Sequence, residues 1–485
     1  MLAANLNPNE TFLDKYEINS IKTNKGNKGK GQPEGTNNEK NFNPCLWKPN
    51  IVAPKTTVKL IENVNIKCDV DAKLYGTNPI KLFTKINMNN TYINEESKRY
   101  NKKMIIITNK ELCCGCGACY NSCPNKAIQM VEDQEGFLYP EINKTKCINC
   151  SICEKVCPIK NIKIEEDTEL IKLASWSKNK EIRKSSSSGG IFYTIANYII
   201  ENSGVVCAAG FDENMNVVHK IISEKKQIKE LQGSKYVQSD IGQCNREVKK
   251  LLEEGKKVLF VGTPCQVSGL LTMLGKKYNN LYLCDFICHG VPSPKVYKKY
   301  KKELEDTFKS KLNQMNFRDK RNGWIDYSVV AEFENGKKYI KNAKRDIYIK
   351  GFLKNVYLRP SCYKCKFLGL NRGSDITIGD FWGIEEKIPK VEYNNGVSLI
   401  LIHSIQGKEL IENCKFDIEI KEQEDLNFIV KHNPSIVAAS KENSSREDFF
   451  RDLEKYKMKK LYRKYFYENK YMRKLKYIIK RGKDI

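Results

Sequence analysis

The chain has 485 residues, 40% of them hydrophobic, and sets 84 Lys and Arg against 58 Asp and Glu for a net charge of +26. That length suits two or three domains with real cores. The longest apolar run, near Ile191–Ile200, is too short for a bilayer span, which takes roughly 20 residues, so no membrane-crossing helix is expected. The start, MLAANLNPNETF, has neither the basic patch nor the apolar block of a secretory signal, and it is too acidic and Arg-poor for a transit peptide. A reducing, cytoplasmic setting is expected, and there clustered cysteines point to metal or redox chemistry rather than disulfides.

Residues 1–103 read as a poorly specified, disorder-prone N-terminal extension. The stretch Asn27–Pro44 is polar and sprinkled with Gly, Pro and Asn, and it cannot bury enough apolar surface to offset ordering entropy. Short β-like pieces at Thr57–Ile61 and Asn63–Ile66 hold no period. No function is assigned to them.

Residues 104–165 open on an apolar run, MIIITNKELCCGC, expected as a short strand leading into cysteines. Five of the 19 cysteines fall between positions 113 and 123. A repeat follows: Cys113, Cys116, Cys119, Cys123 and Pro124 are echoed by Cys147, Cys150, Cys153, Cys157 and Pro158. Both copies read C-x2-C-x2-C-x3-C-P, with GFLYPEIN between them as strand and turn. Three thiolates at i, i+3 and i+6 wrap three corners of an iron–sulfur cubane, and in two-cluster ferredoxins the cysteine before proline serves the other cluster. The spacing therefore predicts one 4Fe-4S cluster on Cys113, Cys116, Cys119 and Cys157, and a second on Cys147, Cys150, Cys153 and Cys123. Gly115 and Gly117 give the backbone room to curl. Cys114 is read as a spare, non-ligating sulfur. Zinc prefers paired C-x2-C knuckles with a longer spacer.

Residues 166–440 alternate strand and helix signals. GGIFYTIANYIIENSG is a helix with Ile191, Ile195 and Ile199 on one face. VVCAAGF, KVLFVGT and LYLCDFICHG are strands, REVKKLLEEGKK an amphipathic helix, and VYKKYKKELEDTF an exposed helix. Two further strands flank Asn335-Gly336, a hairpin signal, and DITIGDFWG and GVSLILIHS add two more. The fold class is thus α+β or α/β: a small bacterial-ferredoxin-like domain, then a larger α/β domain. Residues 441–485 close the chain as a basic, Tyr-rich helical tail, with 13 Lys and Arg against one Glu over 455–483. Such a tail suits nucleic acid or, equally, an acidic partner protein. The wider charge excess reads as general Lys enrichment, so nucleic acid is not the expected partner.

KSSSSGGIF sets Ser and Gly at a helix N-terminus, where amides and hydroxyls can cradle a phosphate or simply cap the helix. Cys265 follows a strand in GTPCQV, Cys288 ends the next strand, and Cys362 and Cys365 form a C-x2-C. In a parallel sheet consecutive strand ends share an edge, so these four thiols can meet. A third 4Fe-4S cluster, a zinc ion and merely buried cysteines are the alternatives. Cys265 at a helix start is also a candidate nucleophile. The four histidines make a His-based metal centre a poor reading. Asp380 and Trp382 in IGDFWG stand where a cofactor edge could lie, though a turn residue and a core aromatic explain them equally well.

The order of these motifs carries a resemblance. The double cysteine run, SSSSGGIF, GSKYVQS, VGTPCQ, CDFICHG, CYKC and RGSDITIGDFWG, in that order from about Met104 to about Ser440, resembles the coenzyme F-420 hydrogenase/dehydrogenase beta-subunit family. Residues 1–103 and the tail lie outside the match. The resemblance implies an FAD-binding core with an adjacent cluster, passing electrons between a two-electron carrier, such as coenzyme F-420 as substrate, and one-electron iron–sulfur partners or a redox partner protein. It places FAD contacts at Ser186, Ser187, Ser188, Gly189, Gly190, Lys235 and Tyr236, with Gly262 and Thr263 at the GTPC turn. It strengthens the third cluster on Cys265, Cys288, Cys362 and Cys365, and it makes Lys235 the candidate catalytic group beside the flavin ring. A non-catalytic electron-relay subunit is the other functional reading.

Overall fold

The computed structural model describes residues 105, 107, 109–161, 170–423 and 425–467. The N-terminal extension, with its β-like pieces, lies outside the described residues, as does the chain beyond Tyr467. Among the described residues no helix is long and apolar enough to cross a membrane.

The cysteine repeat folds as two loops around a hairpin. The first loop enters helix α1 (Ala118–Ser122) and the second α2 (Ile152–Lys155). Between them β1 (Ile128–Glu132) pairs antiparallel with β2 (Leu138–Ile142). Asp133 closes the turn by accepting from the Glu135 and Phe137 amides. The two loops share one backbone path. Gly115 (φ 70°) and Gly117 (φ 71°) are left-handed, and so are Asn149 (φ 53°) and Ser151 (φ 63°) at the matching positions. Glycine removes the Cβ penalty in the first copy, whereas the second bears it. Ile105 and Ile107, expected in a strand, join none; Ile105 is buried among Cys119, Ile128, Cys153 and Cys157 instead.

The larger region is built on an eight-stranded sheet. Its elements run β3 (Ile171–Ser177), α3 (Lys180–Ser185), α4 (Ile191–Glu201), β4 (Val205–Phe211), β5 (Val217–Ile222), α5 (Ile228–Leu231), α6 (Cys244–Glu253), β6 (Val258–Gly262), α7 (Pro264–Leu274) and β7 (Leu281–Phe286). After α8 (Pro294–Phe308), strands β8 (Leu312–Asp319), β9 (Ser328–Phe333) and β10 (Lys338–Asn342) form a separate antiparallel sheet. Then come α9 (Ile347–Leu353), β11 (Ile376–Asp380), β12 (Ser398–Ile402), α10 (Ile405–Asn413), β13 (Ile418–Glu422), α11 (Leu426–His432) and α12 (Arg446–Leu453). The large sheet has the order β13-β3-β12-β11-β7-β6-β4-β5. Its centre, β11-β7-β6-β4, is parallel, and antiparallel strands flank it on both sides. Those central strands read as near-continuous apolar runs because both faces are covered. Ile191, Ile195 and Ile199 of α4 pack with Leu259, Ile376 and Ile400 on one face, and Val248 and Leu270 with Phe260 and Leu283 on the other.

Two features differ from expectation. Helix α8, expected to be exposed, buries Val296, Tyr297, Tyr300 and Leu304 against the three-stranded sheet, because its aromatic residues recur at helical spacing on one side. The start of the basic tail is also core: Phe449, Leu453, Met458, Leu461 and Phe466 join the same cluster.

Candidate functional site

In the small domain the crosswise pattern appears in space. One small cavity is lined by Cys113, Cys116, Cys119 and Cys157, with Cys114 also at its wall. A second is lined by Cys123, Cys147, Cys150 and Cys153. All the described cysteines are free thiols. Backbone amides point at the sulfurs: Ile105 N–H to Cys153 Sγ at 3.3 Å and Ala127 N–H to Cys123 Sγ at 3.2 Å. Burial pushes the Cys119, Cys153 and Cys157 thiols up, so thiolates here call for a cationic core among them. Among the described residues no three His, Cys, Asp or Glu side chains close onto a single ion; the thiols are instead spread around each cavity.

The scattered cysteines of the larger domain also meet. Strands β6 and β7 are parallel neighbours, so the turns after Gly262 and Phe286 share an edge. Burial raises the Cys288 thiol, and the neighbouring Cys362, Cys265 and Cys365 add to it. Burial likewise pushes Cys362 up to about 12 and Cys365 up to about 11. Amides of Val291 and Phe367 lie 3.4 Å from the sulfurs of Cys362 and Cys365. The neighbouring Cys114 thiol and burial raise the Cys265 thiol well above the ordinary range. Helix α7 is capped by a reciprocal Thr263–Gln266 box, and Thr263 Oγ1 lies 3.1 Å from Cys265 Sγ. Cys114, the spare sulfur, therefore stands between the first ring and this second group.

Beside Cys288, at the C-terminal ends of the central parallel strands, a cavity of about 490 Å³ opens. Crevices at that edge are where open α/β sheets bind ligands. Ser186, Ser187, Ser188, Gly190, Lys235, Tyr236, Gly262 and Thr263 all line it. Gly189 does not; its amide meets Ser398 Oγ at 3.0 Å, and a Cβ there would come within 2.5 Å of Ser175 O. The serine hydroxyls are partly spent: Ser186 donates to Ile182 O and Ser188 to Val397 O, and Ser187 accepts from Ser234 N–H. The free donors at this corner are the first-turn amides of α4, which have no intrahelical partners. Lys235 is half-buried as a residue, but its ammonium is deep, bonded to Leu231 O (2.6 Å) and Gln232 O (3.0 Å), and burial pulls it down to about 7.

The cavity wall also holds groups that composition and spacing did not single out. Arg318 on β8 is buried and paired with Asp380 at the end of β11, and it stacks over Tyr327 (4.5 Å) and Trp382 (5.3 Å). Trp324 donates to Asp380 Oδ1 at 2.9 Å. Arg318 Nε and Nη2, and His219 Nδ1, are buried without partners and line this cavity. His219 has Nε2 at 3.2 Å from Val261 O. Nothing local announces Arg318, since its partner is 62 positions away.

Three arginines join the small domain to the large one. Arg246 reaches the carbonyls of Tyr120 (2.7 Å) and Asn121 (2.6 Å), Arg359 that of Cys113 (2.7 Å), and Arg446 pairs in a fork with Glu135. Gly269 of α7 packs on Cys116, where a Cβ would come within 2.8 Å of its sulfur.

Comparison with known proteins agrees with this layout. Residues 112–161 match the family model described as a 4Fe-4S dicluster domain. Residues 173–243 match the N-terminal model, and 255–425 the C-terminal model, of the coenzyme F420 hydrogenase/dehydrogenase beta subunit. No curated protein matches the chain. Among solved structures, a chain of the F420-reducing NiFe hydrogenase complex from Methanosarcina barkeri, solved in a xenon derivatization, is 19% identical. The alignment covers 55% of this chain and 88% of that one, with a TM-score of 0.37, too loose a likeness to carry an argument. The three models follow one another in the order in which the motifs occur, and a hydrogenase/dehydrogenase subunit joined to a 4Fe-4S domain points to an iron–sulfur redox role. The chain belongs to the coenzyme F420 hydrogenase/dehydrogenase beta-subunit family, with a 4Fe-4S dicluster domain ahead of it.

Proposed function

We propose that the chain is an iron–sulfur flavoprotein oxidoreductase, in which FAD occupies the cavity beside Cys288 and electrons pass through three 4Fe-4S clusters held by the three cysteine groups. The observation that carries this reading is the placement of Cys288, which belongs to the third cysteine group and to the cavity wall at once. About 490 Å³ falls within the range of cofactor cavities. Its unpartnered donors on Arg318 and the amides of the α4 first turn suit an anionic, ring-bearing ligand. When bound, flavin exchanges electrons in pairs or singly. The protein's own part is positioning: Tyr236 and Phe352, stacked at 4.8 Å, form an aromatic wall, and the Arg318–Asp380 pair sets charged groups beside Tyr236. Lys235 places a carbonyl-held amino group where the cavity meets an open cleft of about 1330 Å³. Lys178, Lys184, Lys229 and Arg321 stand in that cleft among several carboxylates, a place for a two-electron carrier such as coenzyme F-420.

Oxygen-free purification followed by cofactor extraction tests this directly. The expected yield is one FAD and twelve irons per chain, four for each cluster, with reduction by reduced F-420, NADH or NADPH in a single turnover. Absence of flavin from an iron-loaded protein removes the oxidoreductase reading. Reduction only through an added partner enzyme favours a relay subunit instead.

A further inference from the structure

Arg359 is fully buried, at the N-cap of the 3-10 turn Pro360–Lys364 that carries Cys362. Its guanidinium sits where the two domains meet. Nε donates to Cys113 O at 2.7 Å, Nη1 to Gln238 Oε1 at 2.9 Å, and Nη2 to Leu138 O at 2.9 Å and Cys113 Sγ at 3.6 Å. The Tyr139 ring lies 4.2 Å away. Apart from that sulfur, these partners are neutral. Other buried arginines have carboxylates: Arg318 has Asp380, Arg372 has Asp285 and Arg446 has Glu135. Among the described residues Arg359 forms no such ion pair. A buried charge without a counter-charge is costly; the anion its Nη2 reaches is the sulfur of Cys113 as a thiolate, with the Cys114 and Cys362 sulfurs further off.

The surroundings are shaped for this contact. A Cβ on Gly115 would come within 2.7 Å of Arg359 Nη1, so a bare backbone is what lets the guanidinium close on the loop. Gln238 steadies it from the other side while donating to Cys114 O at 3.1 Å. Among the described residues the twin loop has no counterpart: Asn149 stands where Gly115 does, and the Cys147 thiol faces the neutral Asn149 amide oxygen at 3.8 Å.

We propose that Arg359 is the counter-charge of the cluster held by Cys113, and that it sets that cluster at a higher reduction potential than its twin. An electron entering this cluster adds one negative charge, which a fixed cation 3.6 Å from a ligand sulfur stabilises. Among the described residues the twin is met by neutral amide donors and has no such help. Of the twin pair, the electron then rests on the cluster nearer the larger domain. This inference rests on the ligand assignment proposed above.

The test is an EPR-monitored redox titration of the full chain, purified without oxygen, with Cys157→Ser used to assign the signal of the Cys113 cluster. Arg359→Gln is expected to shift that cluster's reduction equilibrium at least tenfold toward the oxidised form, 59 mV for one electron, and to leave the twin unmoved. Arg359→Lys, which keeps the charge but loses the fork, falls in between. Gln238→Glu leaves Arg359 in place, gives it a carboxylate and lowers the same potential; this variant decides the matter if Arg359→Gln does not fold. Equal shifts in both clusters, or none in folded Arg359→Lys and Gln238→Glu, overturn the proposal. Wild-type protein without four-iron signals overturns the ligand assignment itself, and the role of Arg359 with it.

Discussion

Asp380 reads, in sequence, as a group at a cofactor edge or as a turn residue after a strand. In the fold its carboxylate faces a buried guanidinium and an indole N–H. Asp380→Asn would leave Arg318 as a buried charge with no counter-charge, and breaking such a pair costs about 3–5 kcal/mol. The expected result is a lower urea midpoint with an unchanged slope. His219 makes a second case. Burial holds its imidazole down to about 4, against an ordinary 6.5. The unfolded chain therefore binds a proton that the folded chain refuses, so stability is full above pH 6.5 and is lost as pH falls from 6.5 toward 4. At 1.36 kcal/mol per pH unit the loss is about 3 kcal/mol. His219→Gln should flatten the pH dependence of the urea midpoint between pH 7 and 5 relative to wild type. The motif around Asp380 hints at a cofactor edge, but the buried partners of both residues come from strands far away in the chain and are not written locally.

At the scale of elements, the cysteine loops were the most legible part. A spacing of i, i+3 and i+6 describes a loop that folds on itself, so its geometry is written locally. The crosswise exchange is the sharper statement. Cys157 lies four residues from Cys153, yet it lines the cavity of Cys113, Cys116 and Cys119. Cys157→Ser is expected to remove the cluster on that first ring and spare the one on Cys147, Cys150 and Cys153, read as about four irons lost per chain and one EPR signal gone. Loss of the nearer cluster instead would refute the exchange. The pattern has a limit, which α8 illustrates: its lysines suggested exposure, but Val296, Tyr297, Tyr300 and Leu304 fall on one side and find the three-stranded sheet. Helical periodicity announces a buried face; it does not say what will cover it.

For the whole molecule, the joint between the domains matters most. Arg446 comes from the basic end of the chain, Glu135 from the hairpin turn between the cysteine loops, and they meet in a fork 311 positions apart. Gly136 packs so closely on α8 that a Cβ there would lie 2.4 Å from Lys295 Cβ. Arg446→Met strands the Glu135 carboxylate at this joint. About 3–5 kcal/mol of docking free energy should go, and limited proteolysis is expected to free the small domain while its two EPR signals persist. A single cooperative unfolding transition with wild-type protease resistance would show that the clamp contributes little.

By itself the sequence determined the kind of chemistry and the order of the parts. Thiol spacing, strand runs and the Ser-Gly turn are local, and local geometry follows from a few neighbouring residues. Only the tertiary structure decided which charges are buried, which arginine has no carboxylate, and that Cys114 lies against Cys265 while Cys288 borders the cavity. Those outcomes depend on chain segments separated by tens to hundreds of residues and brought together by burial, a force that is non-directional and leaves no spacing to read.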